Sequence, residues 1–305
     1  MSGVTNAVAD FVWGNRHSFV AAAFATSAGV SAYCVYKLLN SDKERKHRDN
    51  VYETHKLLSE YFVFHFGSPS EVLRWDFGPK EALDFPRRVA EECIAAFTEQ
   101  KDVPNTALDI GCAVGRTSFE LARRFEHVVG IDYSHNFIAA CNQLREDGYI
   151  DYEVTDQGHL TTQLRATVPD DIDRNRCSFR QGDACNLPLD IGQFGCVVAA
   201  NLICRLQNPF DFLSRCESLV APGGLLVILS PYTFLEEFTP KKNWIGGYVD
   251  SDGDEVIAFE TMQEYFDSKF EFLQEKDMPF FIRETARKNQ WTVSHATFWQ
   301  RKESE

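Results

Sequence analysis

Three aspartates stand at the ends of successive apolar runs. Asp109 closes Thr106 to Ile110, Asp132 closes Val128 to Ile131, and Asp183 follows Ser178 to Gln181. After the first comes a small-residue turn, Gly111-Cys112-Ala113-Val114-Gly115, spaced Asp-x-Gly-x-Ala-x-Gly rather than G-x-G-x-x-G. A carboxylate ahead of such a turn repels a pyrophosphate and attracts a cation, directly or through water. Glycine at 111 and 115 lets the backbone approach a ligand closely. An acid at the position of Asp132 reads ribose hydroxyls in nucleoside-binding sheets, and Asp183 with Ala184 is placed to meet an adenine amino group. A single strand-end acid is often a helix cap; three in succession beside a glycine turn point to a nucleoside that carries positive charge and no phosphate. S-adenosylmethionine has that character. Its site would take Asp109, Gly111, Cys112, Ala113, Gly115, Asp132, Tyr133, Asp183, Ala184 and Asn201. Alanine at 113 is expected to need a negative φ.

The elements that must hold these residues alternate strand and helix. Helical spacing covers Arg116 to Phe125, Ser134 suits an N-cap for a helix to about Glu146, and a further helix spans Pro209 to Val220. Phe194 to Ala200 and Leu225 to Leu229 read as strands, the latter entered through Pro222-Gly223-Gly224. Phe270 to Glu275 and Thr292 to Trp299 add two more, and Gly148 to Arg176 reads as a long polar linker. Such alternation predicts a mostly parallel sheet covered on both faces, with its ligand at the carboxyl ends of the strands.

Across Asp109 to Leu229 the pattern resembles the seven-stranded SAM-dependent methyltransferases, whose first motif usually carries glycine where this chain has Ala113. That resemblance implies an α/β, Rossmann-like seven-stranded sheet with helices on both faces. Less common stretches extend it: Tyr52-Glu53-Thr54, Ser59-Glu60-Tyr61, Phe64-His65-Phe66-Gly67-Ser68, Ala200 through Leu206, Pro231-Tyr232-Thr233, Thr239-Pro240-Lys241, Trp244-Ile245-Gly246-Gly247 and Arg283 through Trp291. Together these are similar to the 4-mercaptohistidine N-methyltransferases, which include the C-terminal domain of ovothiol synthases. The likeness implies methylation of a ring nitrogen of a thiolated histidine to form ovothiol A. Another imidazole, such as histidine or a histidine-containing dipeptide, is the alternative acceptor, and a non-catalytic SAM-binding protein the alternative class.

An amino-acid acceptor needs a partner for its carboxylate, and arginine binds two oxygens in a fork. Arg205 is a candidate just past a strand end; Arg283 and Arg287, four apart, are expected on one helical face. Tyr61 and Trp244 are candidates to wall the ring, and Asn201, Arg205 and Tyr232 to act at the transfer itself. His65 and His295 could accept a proton, though hydrogen-bonded structural roles are the simpler expectation. Methyl transfer to nitrogen needs alignment more than a metal, and no metal is expected. The segment Tyr52 to Gly67 is expected to form a helix closing over the cofactor.

The whole-chain balance agrees with a small-molecule enzyme. Among 305 residues, 31 Lys and Arg face 45 Asp and Glu, a net charge of −14 that disfavours nucleic acid. The 9 cysteines include no C-x-x-C pair, so a disulfide framework or zinc knuckle is not indicated. Residues 1–50 form an N-terminal extension ahead of a methyltransferase domain at 51–305. Within a candidate span at about 18–38, Phe19 to Tyr36 carry no charge, and Lys37, Lys43, Arg45, Lys46 and Arg48 follow. This suits a membrane anchor that would keep the catalytic domain cytoplasmic; an organelle presequence, or a helix with neither task, is the alternative.

Overall fold

The computed structural model describes residues 51–303. The apolar run at 18–38, with its expected anchor or presequence, lies outside the described residues. Among the described residues no helix is long and apolar enough to cross a membrane.

After a short 3-10 turn at Val51–Glu53 come α1 (His55–Phe66), α2 (Pro69–Val72) and α3 (Phe85–Ala96). The sheet then begins with β1 (Thr106–Ile110), α4 (Arg116–Leu121), β2 (His127–Asp132) and α5 (His135–Asp147). Next are β3 (Tyr149–Gln157), β4 (Leu160–Thr167), β5 (Cys177–Gln181), β6 (Phe194–Ala200), α6 (Pro209–Leu219) and β7 (Val220–Ser230). The two-residue strands β8 (Tyr248–Val249) and β9 (Glu255–Val256) precede α7 (Ala258–Phe266), β10 (Phe270–Arg283) and β11 (Asn289–Arg301).

Seven strands form one sheet in the order β10-β11-β7-β6-β1-β2-β5. The pairs β1–β2, β2–β5, β1–β6 and β6–β7 are parallel, while β11 runs antiparallel to β7 and to β10. The chain leaves β1 in one direction through β2 to β5, then returns to its other side with β6. The carboxyl ends of β1 and β6 therefore bound a crevice at the point where strand order reverses. Ala107, Leu108, Cys196, Val197, Val198 and Ala199 are fully buried. Their runs lack alternation because helices cover both faces of the sheet. Phe119, Phe137 and Leu144 fill one face beneath α4 and α5; Phe212, Leu213, Met262 and Phe266 fill the other from α6 and α7.

Two expectations are corrected. The segment 148–176 is not an open linker: β3 and β4 form a hairpin turning at Gly158, φ 59°. Ile150, Tyr152 and Val154 are buried, with Asp151 and Glu153 exposed between them, so one polar face masks a period of two. The last two strands also run well beyond their expected ends. β7 pairs with β11 only from His295 to Gln300, and the hairpin beyond has β10 as its partner. α1 packs against β3, β4 and β10.

Arg283 therefore ends a strand, and Arg287 sits in the turn that follows, not on a shared helical face. Arg283 is 4% exposed. Its guanidinium donates to Asp156 Oδ1 at 2.5 Å, to the Glu71 carbonyl at 2.7 Å and to the Thr285 carbonyl at 3.3 Å. Arg74 pairs with the same carboxylate at 2.6 Å. Arg283 ties one hairpin to the other, and its donors are committed to that task rather than open to a substrate carboxylate.

Candidate active site

The turn between β1 and α4 is built on left-handed backbone. Gly111, Ala113 and Gly115 have φ of 78°, 47° and 86°. The negative φ expected at Ala113 is not found. A side chain there costs about 1–2 kcal/mol, and tertiary hydrogen bonds hold it. Ala113 N donates to Asp132 Oδ2 at 2.9 Å, and its carbonyl accepts from Cys141 Sγ at 3.1 Å. A Cβ at Gly111 would lie 3.1 Å from Leu202 Cδ1, and one at Gly115 3.0 Å from Cys141 Sγ. Close approach as well as conformation thus calls for glycine at both ends.

The three aspartates have separate environments. Asp109 is 1% exposed and accepts from Ser118 Oγ at 2.6 Å. Burial pushes its carboxyl up to about 7. Of the two routes expected for it towards a cation, direct or through water, this burial disfavours the direct one. Asp132 faces the turn, accepting from Ala113 N and, at 2.8 Å, from Ser134 N; burial outweighs these bonds and raises it to about 6. Asp183 caps the 3-10 turn Ala184–Asn186 through Cys185 N at 2.8 Å. Ala184 and Cys112 are buried, whereas Tyr133 is 61% exposed at the rim beside Asp132.

The segment Tyr52–Phe66 lies over this end of the sheet. The Glu53 carboxylate accepts from His135 N at 2.8 Å and Asn136 N at 3.2 Å, capping α5 alongside Ser134 Oγ, which accepts from Phe137 N. Ser134 Oγ also donates to the Tyr52 carbonyl. The Tyr61 ring packs on Phe137, with centroids 4.9 Å apart, and edge-on to Tyr52 at 6.2 Å. Burial raises both phenols, with Asp132 and Arg205 among the charges that act on them. His65 Nδ1 accepts from Arg116 N at 3.4 Å; burial and the Arg116 charge lower its imidazole to about 3. His65 is thus a neutral cap for α4, in keeping with a structural role.

From the β6 end, Asn201 turns at φ 56° and its Oδ1 accepts from Ser294 Oγ at 2.5 Å. Arg205 ends a 3-10 turn at Ile203–Arg205. Its guanidinium donates to the Thr233 carbonyl at 2.7 Å, hydrogen-bonds Tyr52 and lies 5.1 Å over the Phe238 ring, with no ion-pair carboxylate among the described residues. At the β7 end Tyr232 is left-handed too, φ 53°, and its hydroxyl is 2.9 Å from His295 Nδ1. Trp244 gives its indole N–H to the Thr239 carbonyl at 2.9 Å and stacks on Phe234.

Tyr61 and Arg205 are therefore brought to Asp132, while Arg283 is held at the hairpin junction. Sequence reasoning gave no individual role to Tyr52 or Glu53, which fasten the covering segment, or to Glu275, which completes the His295 contacts. An acid and an aromatic just ahead of a capped helix were the available signal for the first two.

A doubly wound sheet with a glycine turn and a carboxylate facing it defines a nucleoside-binding α/β protein. Residues 108–228 match the family model described as a methyltransferase domain. The ubiquinone biosynthesis O-methyltransferase of Bradyrhizobium sp. (strain ORS 278) is 27% identical over 121 residues, 40% of this chain and 38% of that protein. Ajmaline N-methyltransferase of Rauvolfia serpentina is 26% identical over 141 residues, 45% of this chain and 40% of its own length. The chain thus spans well under half the length of these curated relatives. Among solved structures, the N-methyltransferase NodS of Bradyrhizobium japonicum WM9 in complex with S-adenosyl-L-homocysteine has a TM-score of 0.43 and 14% identity, covering 80% of this chain and 98% of NodS.

Residues 108–228 are thus similar to methyltransferase domains, and the site's chemistry fits S-adenosylmethionine as a donor. Asp132 offers a carboxylate at the crevice, and the glycine turn is narrow. Arg116, the cation at the turn's end, is paired with Glu120 at 2.6 Å and is not free to neutralise a pyrophosphate.

Proposed function

We propose that the protein transfers the methyl group of S-adenosylmethionine to a ring nitrogen of 4-mercaptohistidine, forming ovothiol A. The thiolated acceptor rests on the resemblance of the stretches from Tyr52 to Trp291. The observation that carries an amino-acid acceptor is Arg205, a guanidinium whose charge acts, with that of Asp132, on Tyr52 and Tyr61, and which has no ion-pair carboxylate among the described residues. The donor, when bound, supplies an electrophilic methyl on a positively charged sulfur. Asp132 would hold the donor's ribose, Arg205 the acceptor's carboxylate, and Tyr52 and Tyr61 an aromatic wall that shields the reacting atoms from water. Asn201 and Tyr232 would border the acceptor ring. Rate then comes from alignment of the nitrogen lone pair about 3 Å from the methyl carbon. A thiolated imidazole ionises near neutrality, so a weak base is enough to take up its ring proton.

Incubation of the purified chain with labelled donor and 4-mercaptohistidine, histidine and a histidine dipeptide tests the reading. Label on the thiolated ring supports it, label confined to histidine or the dipeptide moves the acceptor, and no label on any imidazole rejects it. Arg205→Ala is expected to raise the Michaelis constant for the acceptor about tenfold, the loss of one charge-assisted contact, and to leave that for the donor unchanged. An equal rise for both would remove Arg205 from the acceptor site.

A further inference from the structure

Behind Tyr232 a chain of side chains runs from the end of β7 towards solvent. Tyr232 Oη is 2.9 Å from His295 Nδ1, and His295 Nε2 is 3.1 Å from Glu275 Oε2. The three come from adjacent parts of the sheet: His295 pairs with Ser230 of β7 on one side and with Asp277 of β10 on the other. Tyr232 is half-buried, and side-chain exposure rises from 21% at His295 to 52% at Glu275. Phe259 packs edge-on against the imidazole, centroids 4.8 Å apart, and fixes its plane. An ionised Glu275 accepts from Nε2–H, which leaves Nδ1 as acceptor for the tyrosine O–H. Tyr232 meets this geometry in left-handed backbone, held by its own N–H to Ser230 Oγ at 3.0 Å. Backbone held against its preference by surrounding bonds is a feature that clusters at functional sites.

We infer that Tyr232, His295 and Glu275 form a proton-exit chain for the acceptor nitrogen; this rests on the imidazole N-methyltransferase reading above. A neutral imidazole attacks through one nitrogen. The N–C bond forms as the donor's S–C bond breaks, that bond's electron pair stays on sulfur, and the ring becomes a cation with a surplus N–H proton. That proton passes to the Tyr232 oxygen while the phenolic proton moves to His295 Nδ1. His295 then carries one positive charge beside Glu275, and one proton leaves to water at the exposed end. Each methyl transferred thus releases one proton. Tyr232 is the member that touches the acceptor; His295 and Glu275 are positioning residues acting through it.

The test uses the full chain with labelled donor and the imidazole panel, comparing wild type, His295→Gln and Glu275→Gln from pH 6.5 to 9. Glu275 is half exposed, so its variant leaves packing intact, and donor titration checks the fold of both. His295→Gln is expected to lower kcat at neutral pH at least tenfold, as loss of proton-transfer assistance does. The Michaelis constant for the acceptor should hold, and the deficit should shrink towards pH 9 as hydroxide takes the proton. Glu275→Gln should show a smaller loss with the same pH trend. Values of kcat within twofold of wild type in both variants overturn the chain. So does a deficit constant across pH, or one matched by lost donor binding, since either assigns His295 to packing. A wild-type chain that methylates no imidazole overturns the acceptor reading, and the proton chain with it, before any variant is compared.

Discussion

Asp132→Ala is expected to raise the dissociation constant for S-adenosylmethionine 10- to 100-fold. Both carboxylate oxygens already accept backbone N–H bonds, from Ala113 and from Ser134. Each retains a further lone pair, because an ionised carboxylate has about four acceptor positions. On the proposed reading the residue does two things: it holds the left-handed turn at Ala113 and offers what remains to ribose hydroxyls. Hydrogen bonds to a charged group contribute about 1.5–3 kcal/mol each, and tenfold in affinity is about 1.4 kcal/mol. Asp132→Asn keeps one acceptor oxygen, so its affinity should fall between wild type and alanine. Calorimetric titration of donor into the three proteins decides the matter; equal affinity for wild type and alanine would remove Asp132 from the donor site.

Much of this frame was legible because apolar runs broken by Gly or Asp mark buried parallel strands. β1 and β6 occupy the expected residues, and Ser134 caps α5 as its position suggested. What stayed hidden has identifiable causes. The β3–β4 hairpin exposes one face, and its charged residues outweigh a weak alternation. The left-handed backbone at Ala113 runs against the preference of alanine and is imposed by Asp132 and Cys141, which lie 19 and 28 residues away. Arg283 looked free because the carboxylate that holds it, Asp156, belongs to the hairpin that was not foreseen. Tyr232 and His295 are 63 residues apart, and only the pairing of β11 with β7 brings them together. Residue types at strand ends thus pointed to the rim where the glycine turn meets Asp132. Roles that depend on which partner reaches a side chain did not follow from type or spacing.

Asp109→Asn is expected to remove a pH-dependent loss of stability that the wild-type chain suffers between about pH 4 and pH 7. The Asp109 carboxyl is held at about 7 by burial, against an ordinary value of 3.8. Below pH 4 it is protonated in both folded and unfolded chains and favours neither. As pH rises from 4 to 7 the unfolded chain releases this proton while the folded one retains it, so the unfolded state gains. Above 7 both are ionised and the full cost has been incurred. A shift of this size corresponds to a free energy on the order of 4 kcal/mol, at 1.36 kcal/mol for each unit. Asparagine keeps an acceptor for Ser118 Oγ and never ionises, so its stability relative to wild type should climb across the same window. Denaturant unfolding of both proteins at pH 4.5, 6 and 7.5 measures the difference directly, and the other titrating groups largely cancel. Parallel pH profiles would mean that Asp109 ionises in the folded state at its ordinary pH, with its charge compensated by something other than the Ser118 hydroxyl.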